Sequence, residues 1–211
     1  MMARRTARIL GAAAFFLIGG SAAASLAIAR DGQSAQAAVP HAIMTSAAPD
    51  RIMIDAASLQ EAYAAGITDR PIKSILNVGQ RMSYGDYRWD EKGVPSGKVW
   101  IRVDLKSQII SVFRAGHEIG TAVILYGADG VPTPTGKFPI LAKIKDHYSA
   151  TYDNAPMPYT MRLTADGVSI HASNVRWGYA THGCIGVPIA FAAKLFSAAS
   201  LGDEVMITRS A

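Results

Sequence analysis

Cys184 is the single cysteine of this 211-residue chain. It stands in Thr181-His182-Gly183-Cys184-Ile185-Gly186-Val187-Pro188, a short glycine-bracketed loop, with His171 upstream at the end of an apolar run. A thiol attacks a carbonyl only as thiolate. Nucleophilic catalysis therefore needs a nearby imidazole to take its proton and a small-residue backbone whose N–H groups can face a developing oxyanion. A strand end at His171 is a rigid platform, and the intervening loop, which carries Gly178 and Gly183, can fold back on it. Cys184 also precedes a predicted helix, whose N-terminus would favour thiolate. These residues alone leave a second reading open, a buried inert cysteine with an incidental histidine. Zinc fits less well: His171, His182 and Cys184 match no common zinc spacing, and thiolate sites usually bring more cysteines. We therefore expect no metal and no organic cofactor. His117 and His147 fall among charged residues and read as solvated.

The elements that must position this pair are mostly short strands. From Lys98 the chain alternates: Val99, Ile101, Val103 and Leu105 point one way and Trp100, Arg102 and Asp104 the other, as in a half-buried strand. Turns at Lys106-Ser107 and Ala115-Gly116 carry it through Gln108 to Arg114 and Glu118 to Tyr126, a β-meander. Gly127 to Pro134 is a loop. Phe138 to Lys145, Tyr159 to Leu163 and Val168 to His171 read as strands, with Ala165-Asp166-Gly167 as a hairpin turn. Pro188 opens a helix over Phe191, Ala192, Leu195 and Phe196, and Glu204 to Ile207 is a last strand. Upstream, Asp55 caps a helix that stops at Gly66, Asp69-Pro71 opens another through Ile75, and Val78 to Gly97 is an irregular connector. The fold class expected is mainly β, a sandwich or curled mixed sheet with one or two helices, behind a short helical extension.

Three segments follow. Residues 1–37 carry a basic start (Arg4, Arg5, Arg8), an apolar Ala-rich stretch and an A-x-A-type site at Ala35 and Ala37. This reads as an export signal, with a membrane anchor as the alternative because the stretch is long. Residues 38–97 are linker and helical extension, and 98–209 the catalytic domain. The net charge of +5 owes much to Arg4, Arg5, Arg8 and Arg30, so it does not point to nucleic acid, and no membrane contact is expected beyond the leader. An unpaired thiol in an oxidising compartment asks for a reason.

Ile170-His171 followed by Thr181-His182-Gly183-Cys184-Ile185, a helix and a short strand resembles the signature of the YkuD-type L,D-transpeptidases. Val103-Asp104-Leu105 is similar to that family's opening strand pair. Thr133-Pro134-Thr135-Gly136-Lys137-Phe138 is similar to its Thr-Pro-x-Gly-x-Phe segment, and Met157-Pro158-Tyr159 to its Met-Pro-Tyr segment. Four motifs in the right order are far more specific than one. The resemblance implies a periplasmic or exported enzyme working on peptidoglycan stem peptides. Cys184 would attack the carbonyl between the third and fourth stem residues, releasing D-alanine and leaving a thioester that an amine resolves as a 3→3 cross-link. His171 would be proton acceptor and donor, the N–H groups of Gly183 and Cys184 the oxyanion hole, and His182 a group that orients the loop. Tyr159 would wall the groove, and carbapenems would acylate the thiol. Two positions depart from the family: Gly186 stands where many members have arginine, and Ala172 where many have glycine or serine, which bears on substrate contacts there. An L,D-carboxypeptidase or related hydrolase, and an inactive wall-binding module, are the alternatives.

Overall fold

The computed structural model describes residues 50–209. The leader and almost all of the linker lie outside them. In chain order the elements are β1 (Arg51–Met53), α1 (Ala56–Ala64), β2 (Ser74–Leu76), β3 (Tyr87–Trp89), β4 (Val99–Asp104), β5 (Ile109–Arg114) and β6 (His117–Val123). They continue with β7 (Gly136–Pro139), β8 (Ala142–Ile144), β9 (Thr160–Arg162), β10 (Ser169–Ala172), β11 (Ile185–Val187), α2 (Ile189–Ala198) and β12 (Glu204–Thr208). One sheet runs β1-β2-β6-β5-β4-β12-β7, with β3 also paired to β6, and a second runs β11-β10-β9-β8. The class is mainly β with mixed pairing, as expected: β12 lies parallel to β4 and β11 parallel to β10. Among the described residues no helix is long and apolar enough to cross a membrane.

The meander β4-β5-β6 follows the sequence pattern: its turns close with positive φ at Gln108, Ala115 and Gly116, and its apolar side chains fill the space between the sheets. Ile101, Val103, Ile110, Val112 and Ile119 are buried there against Met161, Ile170, Ile185, Phe191 and Leu195. α2 presents Phe191, Ala192 and Leu195 to this core, and the Phe191 ring meets Trp89 edge-on with centroids 5.5 Å apart. Such a pair contributes about 0.5–1.5 kcal/mol beyond burial. Gly120 makes it possible, since a Cβ there would stand 2.2 Å from the Trp89 ring.

Four expectations are corrected. The segment opened by Asp69-Pro71 is not a helix: Ser74–Leu76 is a strand, antiparallel to β1 and meeting β6 at His117, where ladder bonds outweigh a weak local propensity. The irregular connector contains β3, antiparallel to β6. Trp100 is buried although it lies on the face expected to be open; its ring stacks on Phe113 at 4.3 Å, with the Arg70 guanidinium 5.7 Å from its centroid. Phe138 to Lys145 is two strands rather than one, β7 paired to β12 and β8 to β9, so the chain changes sheets at Ile140-Leu141.

Glu118, on β6, is 5 % exposed. One carboxylate oxygen accepts from the Leu76 N–H at 2.7 Å. Burial pushes its carboxyl above the ordinary 4.5, against the hydrogen bonds from Ser111 and Leu76 and the charges of Arg51 and Arg102. A folded-state pKa above the unfolded one means that the native chain binds more protons in that window, so stability is lost as pH rises from 4.5 through the raised value. Glu118→Gln keeps an oxygen for Leu76 and removes the buried charge. The variant is expected to melt roughly 2–4 °C higher than the parent at pH 8, the shift that about 1 kcal/mol makes in a chain of this size, and to converge with it towards pH 4. Calorimetric melts across that range check this; parallel pH dependence in both proteins would refute it.

Candidate active site

The site is built on the second sheet. β10 and β11 run parallel with Ile170 opposite Ile185 and His171 opposite Gly186. Continuing that register by one residue sets Cys184 beside Ser169. Side chains alternate between sheet faces, so Ile170 and Ile185 enter the core while Ser169 and His171 take the other face; Cys184 lies in the bend just before β11. His171 thus stands on β10 opposite Gly186, two residues past the cysteine. The Cys184 sulfur lies 3.9 Å from the Gly167 carbonyl oxygen, in the turn that joins β9 to β10. Cys184 itself is half-buried.

The expected helix N-terminus is not at the cysteine. Ile185–Val187 forms β11, and α2 begins only at Ile189 with Pro188 as its N-cap. The loop is instead held by a chain segment that follows β6. Leu125 and Gly186 exchange N–H···O bonds of 2.9 Å in both directions. On the other flank of the cysteine the Thr181 N–H donates to Tyr126 O at 3.0 Å, and the Ala128 N–H donates to Thr181 O at 3.0 Å. The Thr181 hydroxyl closes the loop on itself, donating to Cys184 O at 2.5 Å. Thr133 explains part of the Thr-Pro motif: buried, its hydroxyl accepts the Gly127 N–H at 2.9 Å. A Cβ on Gly127 would fall 2.1 Å from Val131 O and 2.9 Å from Gly183 Cα, so only glycine lets these two loops meet.

His171 is 9 % exposed. Its Nδ1 is 2.9 Å from the Ala172 carbonyl oxygen. A carbonyl only accepts, so Nδ1 carries the hydrogen and Nε2 of the neutral ring keeps its lone pair. Burial holds this imidazole below the ordinary 6.5, the bond to Ala172 opposes that, and the charge of His147 adds to it. Burial likewise pushes the Cys184 thiol above its ordinary 9.0, partly offset by the Ser169 N–H. The resting pair at neutral pH is therefore thiol and neutral imidazole.

A cleft of about 470 Å³ opens beside the sulfur, lined by Cys184, Gly183 and His182 together with Tyr152, Met157, Arg162 and others. The remaining residues named from the sequence take different places. The His182 ring stacks on Tyr152 with centroids 4.1 Å apart, which ties the cysteine loop to the segment between β8 and β9. Tyr159 is not among the cleft's residues: at φ 57°, its ring meets Phe196 of α2 at 5.7 Å. Ala172 is buried and turns its side chain to the core, contributing its carbonyl to His171 and its N–H to Pro158 O. Gly186 has no room for a side chain, since a Cβ would lie 2.8 Å from the Ser173 Cβ.

His147, Tyr152, Met157, Arg162 and Asp166 line the cleft, yet their sequence context singles out none of them as a site residue. Met157 begins the Met-Pro-Tyr segment, and its N–H bond to His147 O at 2.8 Å shows how that segment closes the β8–β9 connection. Among the described residues no three His, Cys, Asp or Glu side chains gather where they could hold a metal ion.

A family model for the L,D-transpeptidase catalytic domain, YkuD, matches residues 98–207. No match is found among curated proteins. Similar solved structures include an L,D-transpeptidase from Stackebrandtia nassauensis, 24% identical with a TM-score of 0.49 over 55% of this chain and 58% of that one. An Enterococcus faecium L,D-transpeptidase mutant is 26% identical, TM-score 0.49, over 54% and 50%. L,D-transpeptidase 3 from Mycobacterium tuberculosis, in complex with a faropenem-derived adduct, is 20% identical, TM-score 0.46, over 53% and 60%. The chain thus spans between half and two thirds of the length of these structures. The family match covers more than half of the 211 residues and includes both His171 and Cys184: the chain belongs to the YkuD family of L,D-transpeptidase catalytic domains.

Proposed function

We propose that this protein is a cysteine-dependent L,D-transpeptidase of peptidoglycan stem peptides. The observation that supports the reading is the parallel pairing of β10 with β11, which seats His171 opposite Gly186, two residues past Cys184, with Nδ1 of the imidazole committed to Ala172 O. Substrate binding in the cleft sets the third-residue carbonyl against the sulfur. Nε2 of His171 takes the thiol proton as the C–S bond forms, and the oxyanion is met by the N–H groups of Gly183 and Cys184. Collapse breaks the C–N bond, and the imidazolium returns its proton to the departing D-alanine amine. The resulting thioester is resolved by the amine of a second stem, whose lost proton passes to His171, giving a 3→3 amide. Water in place of the amine gives trimming. No metal or organic cofactor takes part in these steps. His182 orients the loop by stacking on Tyr152 rather than by moving protons.

The raised thiol pKa changes what a chemical probe reports. Simple alkylation at neutral pH is slow for such a group whether or not the enzyme is active, so it does not separate an enzyme from an inactive module. Acylation through the paired imidazole does. Full-length protein incubated with disaccharide tetrapeptide is expected to release D-alanine and form a dimer of the tripeptide-to-tetrapeptide type, read by mass spectrometry. A carbapenem is expected to add its mass to the intact protein at Cys184. Folded protein that yields neither D-alanine nor an adduct would overturn the reading. D-alanine without dimer, unchanged by excess amine acceptor, would instead mark a carboxypeptidase. Export to the periplasm belongs to the same proposal and rests on the leader, outside the described residues.

A further inference from the structure

The cleft beside Cys184 is lined by one guanidinium, Arg162, and one carboxylate, Asp166, besides His147 and His182. Both come from the β9–β10 hairpin, Arg162 as the last residue of β9 and Asp166 in the turn. Arg162 pairs with Ser169, and Ser169 neighbours Cys184 in the continued β10–β11 register. Arg162 and Ser169 thus share one row and one face of the sheet, with Cys184 beyond Ser169 in the bend before β11. Adjacent strands lie about 4.8 Å apart, so Arg162 rises from the sheet roughly 10 Å from the cysteine, and side chains stand roughly perpendicular to it. Among the described residues neither Arg162 nor Asp166 is in an ion pair.

An arginine and an aspartate that face one cleft without neutralising each other suit a ligand bearing both charges close together. We propose that Arg162 and Asp166 recognise the zwitterionic end of a diamino-dicarboxylic acid side chain at the third stem position, Arg162 taking its carboxylate and Asp166 its ammonium. The proposal rests on the reading of Cys184 as nucleophile. Distance admits the distal carboxylate of such a substrate. In meso-diaminopimelate the distal carboxylate carbon stands roughly 7–8 Å from the scissile carbonyl carbon when the side chain is extended, and the sulfur approaches that carbon at about 3–3.5 Å. The sum reaches the row position of Arg162.

The test compares three disaccharide tetrapeptides that differ at the third residue: meso-diaminopimelate, its distal carboxamide, and L-lysine, which lacks the distal carboxylate. The readout is kcat/KM for D-alanine release by the full-length protein. A charge-assisted bidentate contact is expected to favour the free acid over its amide by about 10–100-fold. Arg162→Met is expected to bring that ratio close to one, and Arg162→Lys to leave an intermediate ratio, because the charge stays and the fork is lost. Asp166→Asn is expected to remove the preference for a free distal amine over its N-acetyl form. A parent protein that turns over the acid and the amide equally, or an Arg162→Met protein that keeps the parent's ratio, would overturn the proposal while leaving the transpeptidase reading intact. A parent protein that releases D-alanine from none of the stems and takes no carbapenem adduct would overturn both.

Discussion

Cys184→Ala is expected to lower D-alanine release by about 10⁴-fold or more, the scale on which removing a covalent nucleophile acts, and to abolish the carbapenem adduct. The expected loss is chemical rather than structural. The thiol is half-buried, and its contacts are the Gly167 carbonyl oxygen, long at 3.9 Å, and the Ser169 N–H. The loop is held instead by the backbone bonds of Thr181 and Gly186 to Leu125, Tyr126 and Ala128. Its removal should therefore change stability by no more than about 1 kcal/mol, and a thermal melt alongside the kinetics separates the two effects. Cys184→Ser is expected to be nearly as inactive, since the hydroxyl is harder to deprotonate than a thiol and burial penalises its anion further. Turnover retained in the alanine variant would remove the covalent mechanism altogether.

His171→Ala is expected to cost about 10²–10⁴-fold in both D-alanine release and carbapenem acylation. Its sharper signature is in pH. The proposed mechanism needs the neutral ring with its free Nε2, and burial holds the imidazole below 6.5. The acid limb of kcat/KM in the parent protein should therefore fall below pH 6.5, and it should disappear in the variant. The same shift acts on stability. A depressed folded-state pKa means that the unfolded chain binds more protons below 6.5, so the contribution of His171 is present above 6.5 and is lost as pH falls through the lower folded value. Glu118 acts oppositely, losing stability as pH rises from 4.5. An acid limb that persists unchanged in His171→Ala would assign the essential base elsewhere. His147, which lines the cleft and whose charge bears on His171, is the next group to substitute.

Residue type and order along the chain determined much of this. The meander was legible because alternation has a period of two and its turns carry Gly, Ser and Lys. The capped helix was legible because Asp55 accepts the Ser58 N–H at 2.8 Å, a purely local bond. The nucleophile and histidine candidates were legible because few residue types can do that chemistry. The tertiary structure decided what depends on partners distant in sequence. Ser74–Leu76 is a strand because it lies between β1 and β6, Tyr87–Trp89 because it pairs with β6, and Ile185–Val187 because it lies between β10 and Leu125; three-residue strands are set by their neighbours rather than by propensity. That last strand moved the helix away from Cys184, so a thiol expected to be favoured as thiolate is instead raised by burial. The Met-Pro-Tyr segment singles out Tyr159 rather than Tyr152, yet the Tyr159 ring packs on Phe196 while Tyr152 stacks on His182. The cleft is made in the same way: Arg162 and Asp166 reach it because the β9–β10 register places their hairpin beside the cysteine, and register is a property of paired strands that a single strand's sequence does not contain.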